Sequence, residues 1–353
     1  MSPHDDTART PGSARTTGSA RTTGSARTTG SAQTPSTPAT SGTARLGLYD
    51  ATAAAASSVV IHRYSTSFGL ASRLLRADTR DHIEHVYALV RVADEIVDGP
   101  ATEAGLDADL ARVVLDELEH DTERAMEVGF SVNPIVHAFA RTARETGFGA
   151  ELTRPFFRSM RADLTKTEHD DASFAAYVDG SAEVVGLMCL RAFVYRAGRP
   201  SSDERVLVDG ARRLGAAFQK VNFLRDLRAD FLELGRSYFP GVDVDSFDEA
   251  TKLRLVADVQ DDLDAAARAI PLLPADARNA VGLAHALFQE LNERIRRTPA
   301  SALVQTRIRV PNPVKARLAA QVLLSRSRQT SGSRAADRPA SGGREPRRPG
   351  GTA

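Results

Sequence analysis

The chain has 353 residues, with 46 Lys and Arg against 45 Asp and Glu for a net charge of +1, a balance that excludes a global electrostatic pull toward nucleic acid. A single cysteine, Cys189, excludes an internal disulfide and fits a reducing compartment. No uncharged apolar run approaches the ~18–20 residues of a membrane span, and the start MSPHDD lacks the apolar centre of a secretion signal, so a cytoplasmic location is expected.

Residues 1–45 are low complexity: GSARTT repeats at 12–17, 18–23 and 24–29, too polar and too short a period for a solenoid, and are expected as a disordered tail. A single all-α domain is expected over 46–324, and a disordered basic tail over 325–353. Residues 51–75 are Ala-rich and carry Ser65, Ser67 and Phe68. Asp81 to Asp98 reads as a helix that Gly99-Pro100 ends. Helices follow at 106–128 and at 134–146, the latter opened by Asn133-Pro134 and closed by Gly147. Pro155 to Lys166 carries Asp163, and 173–197 carries Tyr177 with Gly180 and Gly186 inside the helix, which suggests close packing or space for a ligand. Gln219 to Pro240 begins as a helix and ends in the loop GRSYFP; further helices are expected at 246–269, 274–297 and 312–324. Cys189 and His137 read as core side chains.

Two of these helices carry carboxylates at helical spacing. Asp94 and Asp98 are i and i+4, and Asn222, Asp226 and Asp230 are i, i+4 and i+8. Like charges at that spacing cost an isolated helix about 0.2–0.5 kcal/mol. The flanking Val90, Ile96, Phe223, Leu224 and Leu227 want burial, and buried carboxylates need a partner. Surface ion pairs with Arg91 and Arg225 are the bland alternative. Two such columns about 130 residues apart point instead to a hard-oxygen site for Mg²⁺, with Mn²⁺ as the substitute, which takes one or two carboxylates plus phosphate oxygens. Arg91 and Arg225 would neutralise the remaining phosphate charge.

Five stretches together resemble the phytoene/squalene synthase family, the head-to-head trans-prenyl transferases. They are S-x-S-F (Ser65 to Phe68), YALVRVADEIVD (Tyr87 to Asp98), YVDGSAEVVG (Tyr177 to Gly186), QKVNFLRDLRAD (Gln219 to Asp230) and GRSYFP (Gly235 to Pro240). The likeness covers roughly residues 57–320 and leans toward the bacterial phytoene synthases. It implies the isoprenoid-synthase helical bundle around a central apolar cavity. It implies Asp94, Asp98, Asp226 and Asp230 as metal ligands and, with Tyr177, as catalytic residues, the Tyr177 hydroxyl facing the reacting carbons. Ser65, Phe68, Tyr87, Arg91, Gln219, Asn222, Arg225, Arg236 and Tyr238 are implied as substrate-binding. The reaction implied joins two prenyl diphosphates through a cyclopropylcarbinyl diphosphate.

The chain departs from the family at Ser159, where Gly is common, and at Ser301, where Tyr is common. Arg307, Arg309, Lys315 and Arg317 read as solvated surface, with contact to phosphates or anionic lipid as the alternative. The expected function is phytoene formation from two geranylgeranyl diphosphates without NADPH. No nucleic acid partner is expected, but peripheral membrane association for release of a lipid product is. Squalene or dehydrosqualene formation from two farnesyl diphosphates is the rival within the class. A non-catalytic helical protein on a membrane surface is the rival outside it.

Overall fold

Local signals set most of the helix boundaries in the computed structural model, which describes residues 41–196, 203–243 and 245–336; the side chains of 41–43, 229–234 and those from 325 on lie outside the description, as do residues 1–40 and 337–353 of the two expected tails. Helix α1 (Ser41–Tyr64) stops where Ser65 turns extended and accepts a hydrogen bond from the Phe68 amide at 3.0 Å, capping α2 (Thr66–Ser72). The S-x-S-F stretch is therefore a helix junction rather than part of one continuous helix. Helix α3 (Ala77–Val97) ends at Gly99, whose φ of 128° only glycine adopts easily, and Pro100 opens the short α4 (Pro100–Glu103). Asp107 caps α5 (Ala108–Val128), and Asn133 caps α6 (Pro134–Thr146) by accepting from the amides of Ile135 and Val136.

Helix α7 (Ala150–Asp163) is followed by α8 (Asp171–Val178), which a capping box between Asp170 and Ser173 begins. A wide π turn at Asp179–Glu183 joins α8 to α9 (Val184–Val194). The long α10 (Glu204–Leu234) and α11 (Glu249–Ala269) come next, then a 3₁₀ turn at Ile270–Leu272. Helices α12 (Ala275–Arg297), α13 (Ala300–Leu303) and α14 (Asn312–Ala336) complete the described residues. Helix α14 runs past the boundary expected at 324. No strand occurs among the described residues, as expected for an all-α fold; the nearest thing is a lone bridge between Glu168 and Ser237.

The described residues from Thr43 on form one compact unit with two large apolar clusters. One joins Phe223, Leu224, Val256, Leu263 and Ile295 of α10, α11 and α12. The other joins Leu89, Leu115, Phe139, Phe157 and Met188 of α3, α5, α6, α7 and α9. Residues 171–194 are apolar and long enough to cross a membrane by length and composition alone. Tyr177, Val178, Val184 and Met188 nevertheless pack inside those two clusters, the behaviour of a core helix. Lys252, fully buried, donates to the carbonyls of Arg296 and Thr298 and so closes the C-terminal end of α12.

Gly186, read as a packing signal, and Gly215, which was not, bring backbones together. A Cβ on Gly186 would lie 2.3 Å from the Ala211 carbonyl oxygen, and one on Gly215 would lie 2.4 Å from that of Ala182. Helix α10 thus touches α9 and the π turn backbone to backbone. Gly180 is equally tight, 2.1 Å from Ser159 Oγ by the same measure.

Two outcomes are expected. Gly215→Ala gains helix propensity of about 1 kcal/mol but overpacks the crossing at a cost of about 1–3 kcal/mol, so urea unfolding should show a net loss; a more stable variant would mean the helices part freely. His85 is buried, its Nδ1 2.8 Å from Thr142 Oγ1 and its Nε2 unpartnered. Burial, with His82, Arg141 and His137 adding repulsion, pushes its pKa from 6.5 down to about 3. The unfolded chain takes up that proton first, so stability should fall as pH drops below about 6.5, by about 1.4 kcal/mol per pH unit for one such group. His85→Gln should flatten that slope; an unchanged slope between pH 6.5 and 5 would remove His85 as its source.

Candidate active site

One face of α10 is a stripe that changes character along its length. Leu207, Gly210, Ala211, Leu214, Gly215, Phe218, Gln219, Asn222 and Arg225 all line a single cavity of about 800 Å³. Leu207 to Arg225 spans about 27 Å of helix at 1.5 Å per residue. A second stripe on α3 runs Ile83, Val86, Tyr87, Val90, Arg91 and Asp94 along the same cavity. Both turn polar at their C-terminal ends. The remaining wall is largely apolar: Phe68 and Ser72 from α2, Val185 and Cys189 from α9, and Leu273, Val281 and Phe288. Phe68 sits at the centre of an aromatic group, its ring 6.2 Å from Tyr87, 5.4 Å from Phe218 and 6.0 Å from Phe288. Burial pushes the Cys189 thiol up to about 12, so it serves as a neutral wall.

At the polar end Asp94 faces the cavity. Burial, then the neighbouring Asp98, push its carboxyl up to about 8, against the pull of Arg91. Arg91 lies 3.8 Å from Asp94, pairs with Glu95 and stacks its guanidinium over the Tyr64 ring at 4.6 Å. Asp226 is engaged by two guanidiniums, those of Arg225 beside it and of Arg307, whose Nε is 2.7 Å from Oδ1. Gln219, Asn222, Ser65, Phe68 and Tyr87 also border the cavity. The Asp230 side chain lies outside the described residues.

Asp98 stands differently. It is the residue after α3, with φ −112° and ψ 17°, and its carboxylate accepts from Arg236 Nη1 at 2.9 Å. Arg236 is buried; its Nη2 donates to the Val97 carbonyl at 2.8 Å, and its Nη1 to the Tyr238 hydroxyl at 3.2 Å. Nη1 is also 3.8 Å from Asp163, which accepts from Tyr177 at 2.7 Å and from Tyr238 at 3.2 Å. Burial pushes the Asp163 carboxyl up to about 7 although Arg236 and both hydroxyls pull it down. Tyr177 was expected to turn its hydroxyl toward the reacting carbons, but that hydroxyl points to Asp163, because a buried phenol needs a partner. Arg236 and Tyr238 were expected to touch substrate. Like Tyr177 and Asp163, they do not line the cavity and instead form a buried polar joint behind it.

The basic segment after α13 was expected at the solvated surface. Arg307, Arg309 and Arg317 are exposed, as expected, yet Arg307 and Arg309 also border the cavity together with Ile308 and Val310, as does the half-buried Lys315, whose Nζ donates to Thr66 Oγ1 at 2.7 Å. Arg317 stays outside. Residues 305–311 have no helical period, so periodicity could not reveal which side chains turn inward. The alternation of Arg307 and Arg309 with Ile308 and Val310, which pack on the core, was the available signal.

Removing the Arg236 guanidinium should leave Asp163 and Asp98 facing each other without a cation. Arg236→Gln should cost about 3 kcal/mol in urea unfolding, the lower end for a broken buried pair, because Asp98 keeps solvent access. Arg236→Lys should recover only part of it, since one ammonium cannot hold three acceptors in a plane. A loss below about 1 kcal/mol would mean that water already shares the joint.

Residues 61–313 match the squalene/phytoene synthase family. A 15-cis-phytoene synthase from Paracoccus is 32% identical over 190 residues, covering 52% of this chain and 59% of the relative. A bifunctional lycopene cyclase/phytoene synthase from Phaeosphaeria nodorum is 27% identical over 266 residues, 67% of this chain and 45% of the relative. The chain thus spans less than two thirds of the length of these relatives. Among solved structures, a dehydrosqualene synthase in complex with ligand superposes with a TM-score of 0.60 at 20% identity, covering 80% of this chain and 99% of that one. A squalene synthase from Alicyclobacillus acidocaldarius gives 0.60 at 21%, covering 71% and 95%. The fold is that of these synthases, and with the matched region spanning most of its length, the chain belongs to the squalene/phytoene synthase family.

Proposed function

We propose that the protein joins two geranylgeranyl diphosphates head to head to form phytoene, with Mg²⁺ and without NADPH. The observation that carries the substrate class is the α10 stripe, apolar from Leu207 to Phe218 and polar from Gln219 to Arg225. A C20 prenyl chain has about sixteen carbons in line and, with bonds of about 1.5 Å in zigzag, extends roughly 20 Å. Laid along a stripe of about 27 Å, it leaves roughly 7 Å for the diphosphate beside Arg225. The apolar part alone, Leu207 to Phe218, spans about 17 Å, so a C15 chain of roughly 15 Å also fits the stripe, and the product decides between the two.

The residues present fit a divalent cation bound together with substrate. Asp94 borders the cavity, its carboxyl pushed up to about 8 by burial first and then by Asp98. Asp226 draws two guanidiniums. Among the described residues no three His, Cys, Asp or Glu side chains converge on one metal position; Mg²⁺ takes one or two carboxylates, with phosphate oxygens and waters completing its shell. Asp94 and Asp98 on one side, and Asp226 and Asp230 on the other, would hold it. When bound, Mg²⁺ supplies Lewis-acid stabilisation of the departing diphosphate.

The chain's own groups supply the rest. Arg91, Arg225 and Asn222 stand as donors where negative charge gathers on the leaving group. Phe68, Tyr87, Phe218 and Phe288 line the wall next to it and keep water from the allylic cation. Their π faces favour a passing positive charge. Tyr177, held by Asp163, orients Asp163 and Arg236 rather than meeting substrate. Asp98 is in turn held by Arg236.

Purified protein given C15 or C20 diphosphate, with and without NADPH, should convert the C20 substrate to phytoene without reductant. A C30 hydrocarbon as the main product would replace this reading with the farnesyl one. Asp226→Asn and Asp94→Asn should each lower diphosphate release by about 10²-fold or more. No release by the parent would favour a protein without catalysis, and equal release by parent and variants would remove these carboxylates from the reaction. Ser72 lies on the wall, buried, so Ser72→Phe should lower use of the C20 substrate more than that of the C15 one.

A further inference from the structure

Asp226 has no free face in this structure. Its Oδ1 receives Arg307 Nε at 2.7 Å, its Oδ2 receives Arg307 Nη2 at 3.2 Å, and Arg225 holds both oxygens from the adjoining position. Any cation that reaches this carboxylate must displace a guanidinium. Arg225 sits on the same helix one residue away and borders the cavity beside Asn222. Arg307 is different. Its side chain is 54% exposed, and it belongs to the coil 305–311 rather than to a helix.

The coil is anchored on both sides of Arg307. Arg228 Nη1 donates to the Val304 carbonyl at 3.3 Å, Ile308 and Val310 pack on the core, and Lys315 binds Thr66. The backbone is therefore kept in place if the Arg307–Asp226 pair opens, and only the side chain needs to turn. A half-exposed ion pair of this kind holds weakly. The released guanidinium would still border the cavity beside Arg225 and Asn222, where an anion brought by the cation would lie, and its planar fork suits two phosphate oxygens.

Resting on the function proposed above, we propose that Arg307 is a place-holding cation: it occupies Asp226 until a divalent metal arrives and then exchanges that carboxylate for the diphosphate. The exchange makes a metal without its anion a poor ligand and couples the two. Arg307 is here a positioning residue, acting through Asp226 before substrate is in place.

The test is Mn²⁺ binding to the full chain, followed by the paramagnetic resonance of the free ion, with and without inorganic pyrophosphate. Arg307→Gln should bind Mn²⁺ alone roughly two- to fivefold more tightly than the parent, the scale of a half-exposed ion pair. The same variant should lose most of the tightening that pyrophosphate produces in the parent. Arg307→Lys, which keeps the charge, should restore the weak binding of Mn²⁺ alone. A merely structural residue would shift both measurements the same way, or neither, and either result overturns the exchange. Asp226→Asn separates the two readings: if it binds Mn²⁺ as the parent does, Asp226 is no cation site and the functional reading falls with the exchange. If it loses Mn²⁺ while Arg307→Gln does not gain, only the exchange falls. The position of Arg307 on an exposed coil keeps the variants folded, which matching thermal melts would verify.

Discussion

One buried guanidinium holds the site's polar end in register. Arg236 reaches from the loop after α10 to the C-terminal end of α3, meeting Asp98 and the Val97 carbonyl, and lies beside Asp163 at the end of α7. Without it, Asp98 and Asp163 would repel each other at low dielectric, and the end of α3 would carry an unmatched acidic cap. The two tyrosines satisfy the remaining lone pairs of Asp163. Because Tyr177 comes from α8 while Tyr238 and Arg236 come from the loop, three segments, α7 included, meet at the Asp163 carboxylate. A fully partnered network of this kind fixes geometry more than it adds stability. Here the geometry fixed is that of Asp98 and, one helical turn back, Asp94.

The cavity itself depends on an opposite feature, the absence of side chains. Gly186 and Gly215 let α9 and α10 touch through their backbones, and both residues also border the cavity. A larger residue at either position would push the helices apart and fill the space between the apolar walls. Close contact outside the cavity and open volume inside it thus come from the same two glycines. The backbone interaction offsets little of the surface left uncovered by the cavity, so the flanking clusters around Phe223 and Phe139 must supply the apolar burial that keeps the bundle closed.

The fold was largely readable because its determinants are local. Asn133-Pro134, Gly147 and Gly99-Pro100 bound their helices as their capping chemistry requires, and an apolar period of 3.6 marks the helices between them. The candidate site was readable where its residues lie on helices: Asp94 on α3 and Asn222 and Asp226 on α10 follow one face each. It was less readable where side-chain direction depends on tertiary partners. Tyr177 lies where the motif places it, yet its hydroxyl is turned by Asp163, fourteen residues away in the chain. Arg236 carries a charge that suggests solvent or substrate, and its burial follows only from three acceptors in two other segments. Arg307 and Arg309 sit in coil, where no period distinguishes inward from outward.

These two kinds of arginine explain how one site holds so many charges in an apolar bundle. Arg236 is a permanent partner: it is buried, its proton is held more tightly by the surrounding oxygens, and it has no second position. Arg91 and Arg225 border the cavity while each also touches a carboxylate, so they can share their donors with an arriving anion without moving far. Most of these acids and bases therefore contact each other before any ligand enters. A diphosphate with its cation brings both signs at once, and only such a ligand can engage the acidic and basic groups together without leaving one of them unpaired.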